Sequence, residues 1–258
     1  GVKQAEGKNH LAVFFDLGDE AVTASVIAPT SHDGKPIIIW HETVPVTSTS
    51  TFDPKAKLLK TLTALEEAAF ALHRTWPNLT NEAECILPKP FYHHATKTVI
   101  LEEDEPFNLD EEVFHELRER EISDYLLQVK KPYQDIPQDV PVMLEYRLLH
   151  LLVNDREATL PHYEPVKNLE LGLYLSAGSE AIINRLKKII IGHGHFERVG
   201  FHSDYFATTA LMRELTRQGS GLNGRYELSP LAKTLPYHYP VPHALFIAGV
   251  ASDRAGLL

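Results

Sequence analysis

The chain has 258 residues, of which 43% are hydrophobic and 23% charged, a composition typical of a folded protein with a sizeable core. Its formal net charge of −10 argues against nucleic acid or an anionic membrane surface as the main partner, because both require a basic face. The one cysteine, Cys85, excludes an intramolecular disulfide and cysteine-cluster metal sites, which favours a reducing, cytoplasmic compartment. We expect neither a membrane-spanning helix nor a secretory leader.

The first predicted element is a β-hairpin that turns at Asp16-Leu17-Gly18. Leu11 to Phe15 is an apolar run typical of a strand buried on both faces, and Ala21 to Ile27 resumes a β-rich pattern. An Asp at a strand end can hold hydrated magnesium, and the free N–H groups of a glycine turn can bind phosphate. The same residues also make ordinary hairpin turns, and the two carboxylates of Asp19 and Glu20 would repel phosphate. Both interpretations stay open.

A third strand, Pro36 to Val46, completes a predicted antiparallel meander. Lys55 to Trp76 is the clearest helix, since its apolar residues recur at steps of three and four, and it ends before Pro77. The apolar stripe is too short for a coiled-coil zipper, which favours a core-facing helix.

The middle of the chain alternates predicted strands and helices. Glu84 to Leu87 and His93 to Leu101 are predicted strands, and the acidic run Glu102 to Glu105 is predicted to be a solvated turn. Asn108 to Glu111 resembles a capping box and opens a helix that ends at Lys130-Lys131-Pro132. The later predictions are a strand over Val142 to Val153, a strand over Leu169 to Leu175, a helix capped by Ser176 or Ser179 and closed by Gly192, a strand near Val199, a helix capped by Ser203, a long loop over Gln218 to Pro242 and a strand over Ala244 to Ala248.

This order, together with Asp16-Leu17-Gly18, resembles the actin-like ATPase superfamily, in particular the group of the cell-division protein FtsA and the pilus assembly protein PilM. The resemblance covers roughly residues 10–215. It implies an α/β fold, an actin-like (ribonuclease H-like) nucleotide-binding half with an inserted α+β subdomain. The implied parts are residues 1–81 as the first part of the actin-like domain, 82–192 as the insertion and 193–258 as an incomplete return.

The resemblance also implies a site and a role. Asp16 would hold Mg²⁺ through water, Gly18 and the backbone of Asp19 and Glu20 would contact the phosphates of ATP, and Thr23 would supply a nearby hydroxyl. The role would be a scaffold or adaptor in bacterial cell division or type IV pilus assembly, with protein partners that include further copies of itself. It would be cytoplasmic or peripheral at the inner membrane, and at most a weak ATPase.

Two alternatives remain. The family's second phosphate loop, Asp-x-Gly-Gly-Gly-Thr-Thr-Asp, has no counterpart after Leu215, which favours an interaction module that binds no nucleotide. The spacing of His193, His195, His202 and Asp204 allows a less favoured metal-dependent hydrolase. Neither a Cys pair nor a His-Glu-x-x-His motif accompanies these histidines.

Overall fold

The structure is a computed structural model that describes residues 11–28, 37–46, 54–77, 79, 81–130, 139–160 and 164–209. The predicted loop Gln218 to Pro242 and the predicted strand Ala244 to Ala248 lie outside these residues. The elements are β1 Ala12–Leu17, β2 Ala21–Ala28, β3 Ile37–Pro45, α1 Pro54–Thr75, β4 Glu82–Leu87, β5 Tyr92–Asn108, α2 Glu111–Val129, β6 Pro141–Val153, β7 Arg156–Glu157, β8 Pro165–Ser179, α3 Glu180–Gly194 and β9 Arg198–Ser203.

The chain forms two compact units, which divide after Pro88 and again after Ile183. Unit 1 contains the described residues up to Pro88 and from Asn184 onward, and unit 2 contains those from Lys89 to Ile183. The expected insertion at 82–192 would have included β4, whereas β4 pairs with β1 and β9 in unit 1. Because of this pairing, unit 2 begins after Pro88 rather than at residue 82. The local sequence of β4 does not reveal the pairing.

The sheet of unit 1 has five strands in the order β3-β2-β1-β4-β9. The first three strands are antiparallel, and β4 and β9 continue the sheet in parallel with β1. An antiparallel meander that is continued by parallel strands after a helix is a mixed α/β arrangement. The predicted α/β class is therefore confirmed, and the chain between β4 and β9 contains a second sheet.

Apolar periodicity explains the core of unit 1. Val13, Phe14 and Phe15 are all buried, as expected for a central strand covered on both faces. In α1, the predicted stripe is buried at its central positions Leu62, Leu65, Ala69 and Leu72. The helix contacts β2, β3 and β1, so the stripe is core rather than a zipper.

The sheet of unit 2 is antiparallel, with four strands in the order β5-β8-β6-β7. Helix α2 covers one face, where Leu117 and Tyr125 join two buried clusters of the strands. Asn154 and Asp155 make the tight turn between β6 and β7, with φ values of 49° and 64°. Asn and Asp tolerate this left-handed conformation better than most residues.

Two sequence predictions about element ends are wrong. Glu102 to Glu105 were expected to form a turn, but they lie in β5, at a register shift between Glu102 and Phe107. Strand β5 is at the sheet edge, where charged residues stay solvated within a strand. Helix α3 does not close at Gly192 but continues to Gly194, and His195 ends it with φ 59° and an N–H donated to the Ile191 carbonyl at 3.0 Å.

Side-chain caps begin three helices. Asp110 accepts a hydrogen bond from the Val113 amide at 2.9 Å and so begins α2, two positions after Asn108. Ser179, rather than Ser176, caps α3 by accepting from the Ile182 amide at 3.2 Å. Ser203 caps the helical residues 204–209 as predicted.

Tyr146 on β6 should make unit 2 sensitive to alkaline pH. Burial raises the pKa of Tyr146 to about 12, with Arg118 opposing the shift and Glu121 and Glu119 adding to it. Because the folded pKa lies above the ordinary 10.0, this stabilisation is complete below pH 10 and is lost between about pH 10 and 12. Denaturant unfolding across this range should show a steeper loss of stability for the natural chain than for Tyr146→Phe. Equal slopes for the two proteins would contradict this assignment.

Candidate functional site

The β1–β2 hairpin is closed by backbone hydrogen bonds at its turn. The amide of Gly18 donates to the carbonyl of Ala21 at 2.8 Å, and the amide of Val46 donates to the carbonyl of Glu20 at 2.6 Å. Gly18 is buried, whereas Asp19 and Glu20 are exposed at the tip. While this turn is closed, the Gly18 N–H donates its hydrogen bond within the protein, so a phosphate would have to be bound by other donors.

Asp16 and Thr23 lie on one face of the sheet. They are directly opposite each other in the β1–β2 register, and opposed residues of paired strands share a face. The residue Asp16 is 8% exposed, and Thr23 is half-buried. The hydroxyl of Thr23 lies 3.1 Å from that of Thr43 on β3, which continues the same row of residues. The structure thus places two of the five predicted site residues side by side.

Lys57 adds a positive charge beside the hairpin tip that sequence analysis did not identify. Its Nζ lies 2.7 Å from Oδ1 of Asp19, in a pair whose side chains are 44% and 69% exposed. An exposed pair of this kind contributes little stability, but it offsets one of the carboxylates that would repel an anion. In the sequence, Lys57 is an ordinary lysine near the start of α1, and only the folded structure shows that it lies beside the hairpin turn.

His202 and Glu84 form a second polar pair on the same sheet face. His202 is opposite Ile86 in the β4–β9 register, and Ile86 is opposite Asp16, so all three share a face. Nε2 of His202 lies 2.7 Å from Oε2 of Glu84, and both side chains are about one-quarter exposed, at 26% and 25%. The pair joins residues 118 positions apart, which explains why the local sequence did not reveal it.

Gly200 provides the space for this pair. A Cβ at position 200 would overlap the Glu84 carboxylate, which would have to move away from His202. We expect Gly200→Ala to lower the free energy of unfolding by about 1.5–3 kcal/mol, the range for a hydrogen bond to a charged group. Gly192→Ala is the matched control, because nothing lies within 4 Å of a Cβ there and the residue is inside α3. Thermal unfolding should show destabilisation at 200 and no loss at 192; equal losses would contradict the role of Gly200.

The histidines proposed for a metal site are not brought together. His193 lies 2.9 Å from Glu66, the ring of His195 packs on His73 with centroids 4.1 Å apart, and His202 pairs with Glu84. Within the part of the chain that the structure describes, no group of three or more His, Cys, Asp or Glu side chains could hold a metal ion. The metal-dependent hydrolase is therefore not supported.

Cys85 is buried in β4 opposite Phe15, so its side chain lies on the other face of the sheet from those of Glu84 and Asp16. Burial raises the pKa of its thiol well above the ordinary value, and the charges of Asp16 and Glu84 add to the shift. A buried thiol that resists ionisation is a poor nucleophile.

The five-stranded sheet of unit 1 and the four-stranded sheet of unit 2 give the chain a mixed α/β fold. No protein-family model and no curated protein matches the chain. It is similar to a solved PilM-PilN type IV pilus biogenesis complex, with 13% identity, a TM-score of 0.43, and coverage of 80% of this chain and 50% of that one. It is also similar to a Bacteroides thetaiotaomicron protein with an actin-like ATPase fold and unknown function, with 9% identity, a TM-score of 0.37, and coverage of 85% and 62%. The chain therefore spans between half and two-thirds of the length of these structures.

Among the described residues, no helix is long and apolar enough to cross a bilayer.

Proposed function

We propose that this chain is an actin-like scaffold or adaptor of the FtsA/PilM kind, acting in bacterial cell division or type IV pilus assembly. The observation that carries the proposal is the separate α+β unit, formed by the described residues from Lys89 to Ile183, which lies in the chain between β4 and β9 of the unit 1 sheet. The resemblance assigns partner binding to a subdomain inserted at this place. Unit 2 has its own sheet and buried clusters, as a separate binding unit requires.

Mg-ATP is the ligand proposed for unit 1. The nearly buried carboxylate of Asp16, with Thr23 beside it, is suited to a hydrated magnesium ion. The backbone amides of Asp19 and Glu20 and the ammonium of Lys57 are the donors proposed for phosphate. Bound nucleotide would distinguish the loaded state of the scaffold from the empty state. Hydrolysis of the nucleotide is not required for this role.

A second candidate is an interaction module with the same fold that binds no nucleotide. The observation that favours it is the hydrogen bond from Gly18 to Ala21, which occupies the amide expected to contact phosphate. The exposed carboxylate of Glu20 adds like charge at the same place.

Gene deletion in the bacterial host tests the proposed role. Filamentous cells would support a role in division, and dividing cells without pili would support a role in pilus assembly. Normal division together with normal pili would contradict the proposal. Complementation with the natural chain and with Asp16→Ala then separates the two candidates, since only a nucleotide-dependent scaffold loses function in the variant.

A further inference from the structure

Strand β3 is an edge of the unit 1 sheet. Among the described residues it pairs with β2 and with no other strand, so the backbone groups on its outer side have no partner strand there. An edge of this kind is a template for another extended chain. The chemistry of the side chains then decides whether pairing is favoured or blocked.

The first four residues of β3, Ile37 to Trp40, are apolar and carry no charge. The three isoleucines are 55%, 38% and 41% exposed, although β-branched residues in a strand are normally at least half covered. A register shift in the pairing with β2 leaves Ile39 as an extra residue, which twists the strand but does not repel a partner as a charge would.

The edge strand β5 of the unit 2 sheet differs from β3 because it carries a run of charged residues. Strand β5 carries Glu102 to Glu105, all exposed, so two such edges would repel each other. In β3 the only ionisable residues are His41 and Glu42. They follow the apolar stretch, and one is a base while the other is an acid. Two β3 edges can therefore approach without an excess of like charge.

We propose that β3 is a self-association edge, on which a second copy of this chain adds its own β3 in antiparallel orientation. Pairing the Ile37–Trp40 stretch with the same stretch of the second copy covers the exposed isoleucines of both. An antiparallel pair of identical strands is two-fold symmetric, so the contact closes as a dimer rather than propagating. This inference is independent of nucleotide binding and does not rest on the proposed function.

The first test is sedimentation velocity of the full chain over a range of concentrations, with two matched variants. Ile39→Lys places a charge on the edge of β3, and Ile100→Lys makes the same change at a 60% exposed isoleucine on β5. We expect a concentration-dependent dimer for the natural chain and for Ile100→Lys, and loss of the dimer in Ile39→Lys with an unchanged melting temperature. A natural chain that stays monomeric, or an Ile39→Lys variant that still dimerises, would overturn the proposal.

The second test is a cysteine scan, which reads the pairing directly. The native Cys85 is buried, so it does not contribute to cross-linking of the folded protein. Single substitutions Ile37→Cys, Ile38→Cys, Ile39→Cys and Trp40→Cys are oxidised, with Ile100→Cys as the control. A disulfide-linked dimer at one or two of the four β3 positions and none at position 100 is expected. No dimer at any β3 position, or equal yields at all five positions, would refute two-fold pairing of β3.

Discussion

Phe15→Ala is expected to lower the free energy of unfolding of unit 1 by about 3–5 kcal/mol, the range for removing a buried aromatic side chain. Phe15 is 0% exposed on β1, which lies between β2 and β4. Its ring meets that of Phe196 edge to face, with centroids 6.2 Å apart and planes at 84°. The substitution therefore leaves a cavity and also removes an aromatic contact.

Tryptophan fluorescence during urea unfolding measures this effect. The chain has two tryptophans, Trp40 and Trp76, and both belong to unit 1. Phe70→Ala on α1 is the control, because Phe70 is 57% exposed and should cost about 0.5 kcal/mol or less. Similar losses for the two variants would mean that Phe15 is not at the centre of the unit 1 core.

Leu173→Ala is expected to have the corresponding effect in unit 2, a loss of about 2–5 kcal/mol. Leu173 is 0% exposed on β8, which pairs with both β5 and β6, and it belongs to the cluster that includes Leu117 of α2. Its removal opens a cavity where the sheet meets the helix.

Amide hydrogen exchange followed by mass spectrometry localises this loss, since neither tryptophan is in unit 2. Faster exchange is expected throughout β6 and β8 in Leu173→Ala. Leu127→Ala, at a 67% exposed position on α2, should leave exchange unchanged. If the two leucine variants exchange alike, β8 is not the core strand of unit 2.

Local patterns were sufficient for most of the elements. The apolar run of β1 and the three-and-four spacing of α1 arise from burial of one short segment, and such segments carry their own signal. The serine caps at 179 and 203 were also readable, because a cap depends on the next three residues. The acidic run in β5 was expected to be a turn because the local sequence does not show that the strand resumes its pairing with β8 at Phe107, after an irregularity that begins at Glu102.

The candidate site, too, could be predicted only in part from the sequence. Asp16 and Thr23 could be placed from the hairpin pattern, because their opposition follows from a short turn. The contact of Lys57 with Asp19 and the pairing of Glu84 with His202 depend on helix placement and on the parallel register of β4 and β9. Neither has a signature in the surrounding residues. The unit boundary was misplaced for the same reason, since β4 reveals its sheet only through its partners.

The measurement that tests the proposed site most directly is a calorimetric titration of Mg-ATP into the full chain. Asp16→Ala removes the proposed magnesium carboxylate, and Asp124→Ala makes the same change at an exposed position on α2 in unit 2. We expect saturable heat for the natural chain and for Asp124→Ala, and none for Asp16→Ala. Absence of saturable heat from the natural chain, or equal binding by Asp16→Ala, would contradict the nucleotide site and leave the fold as an interaction module.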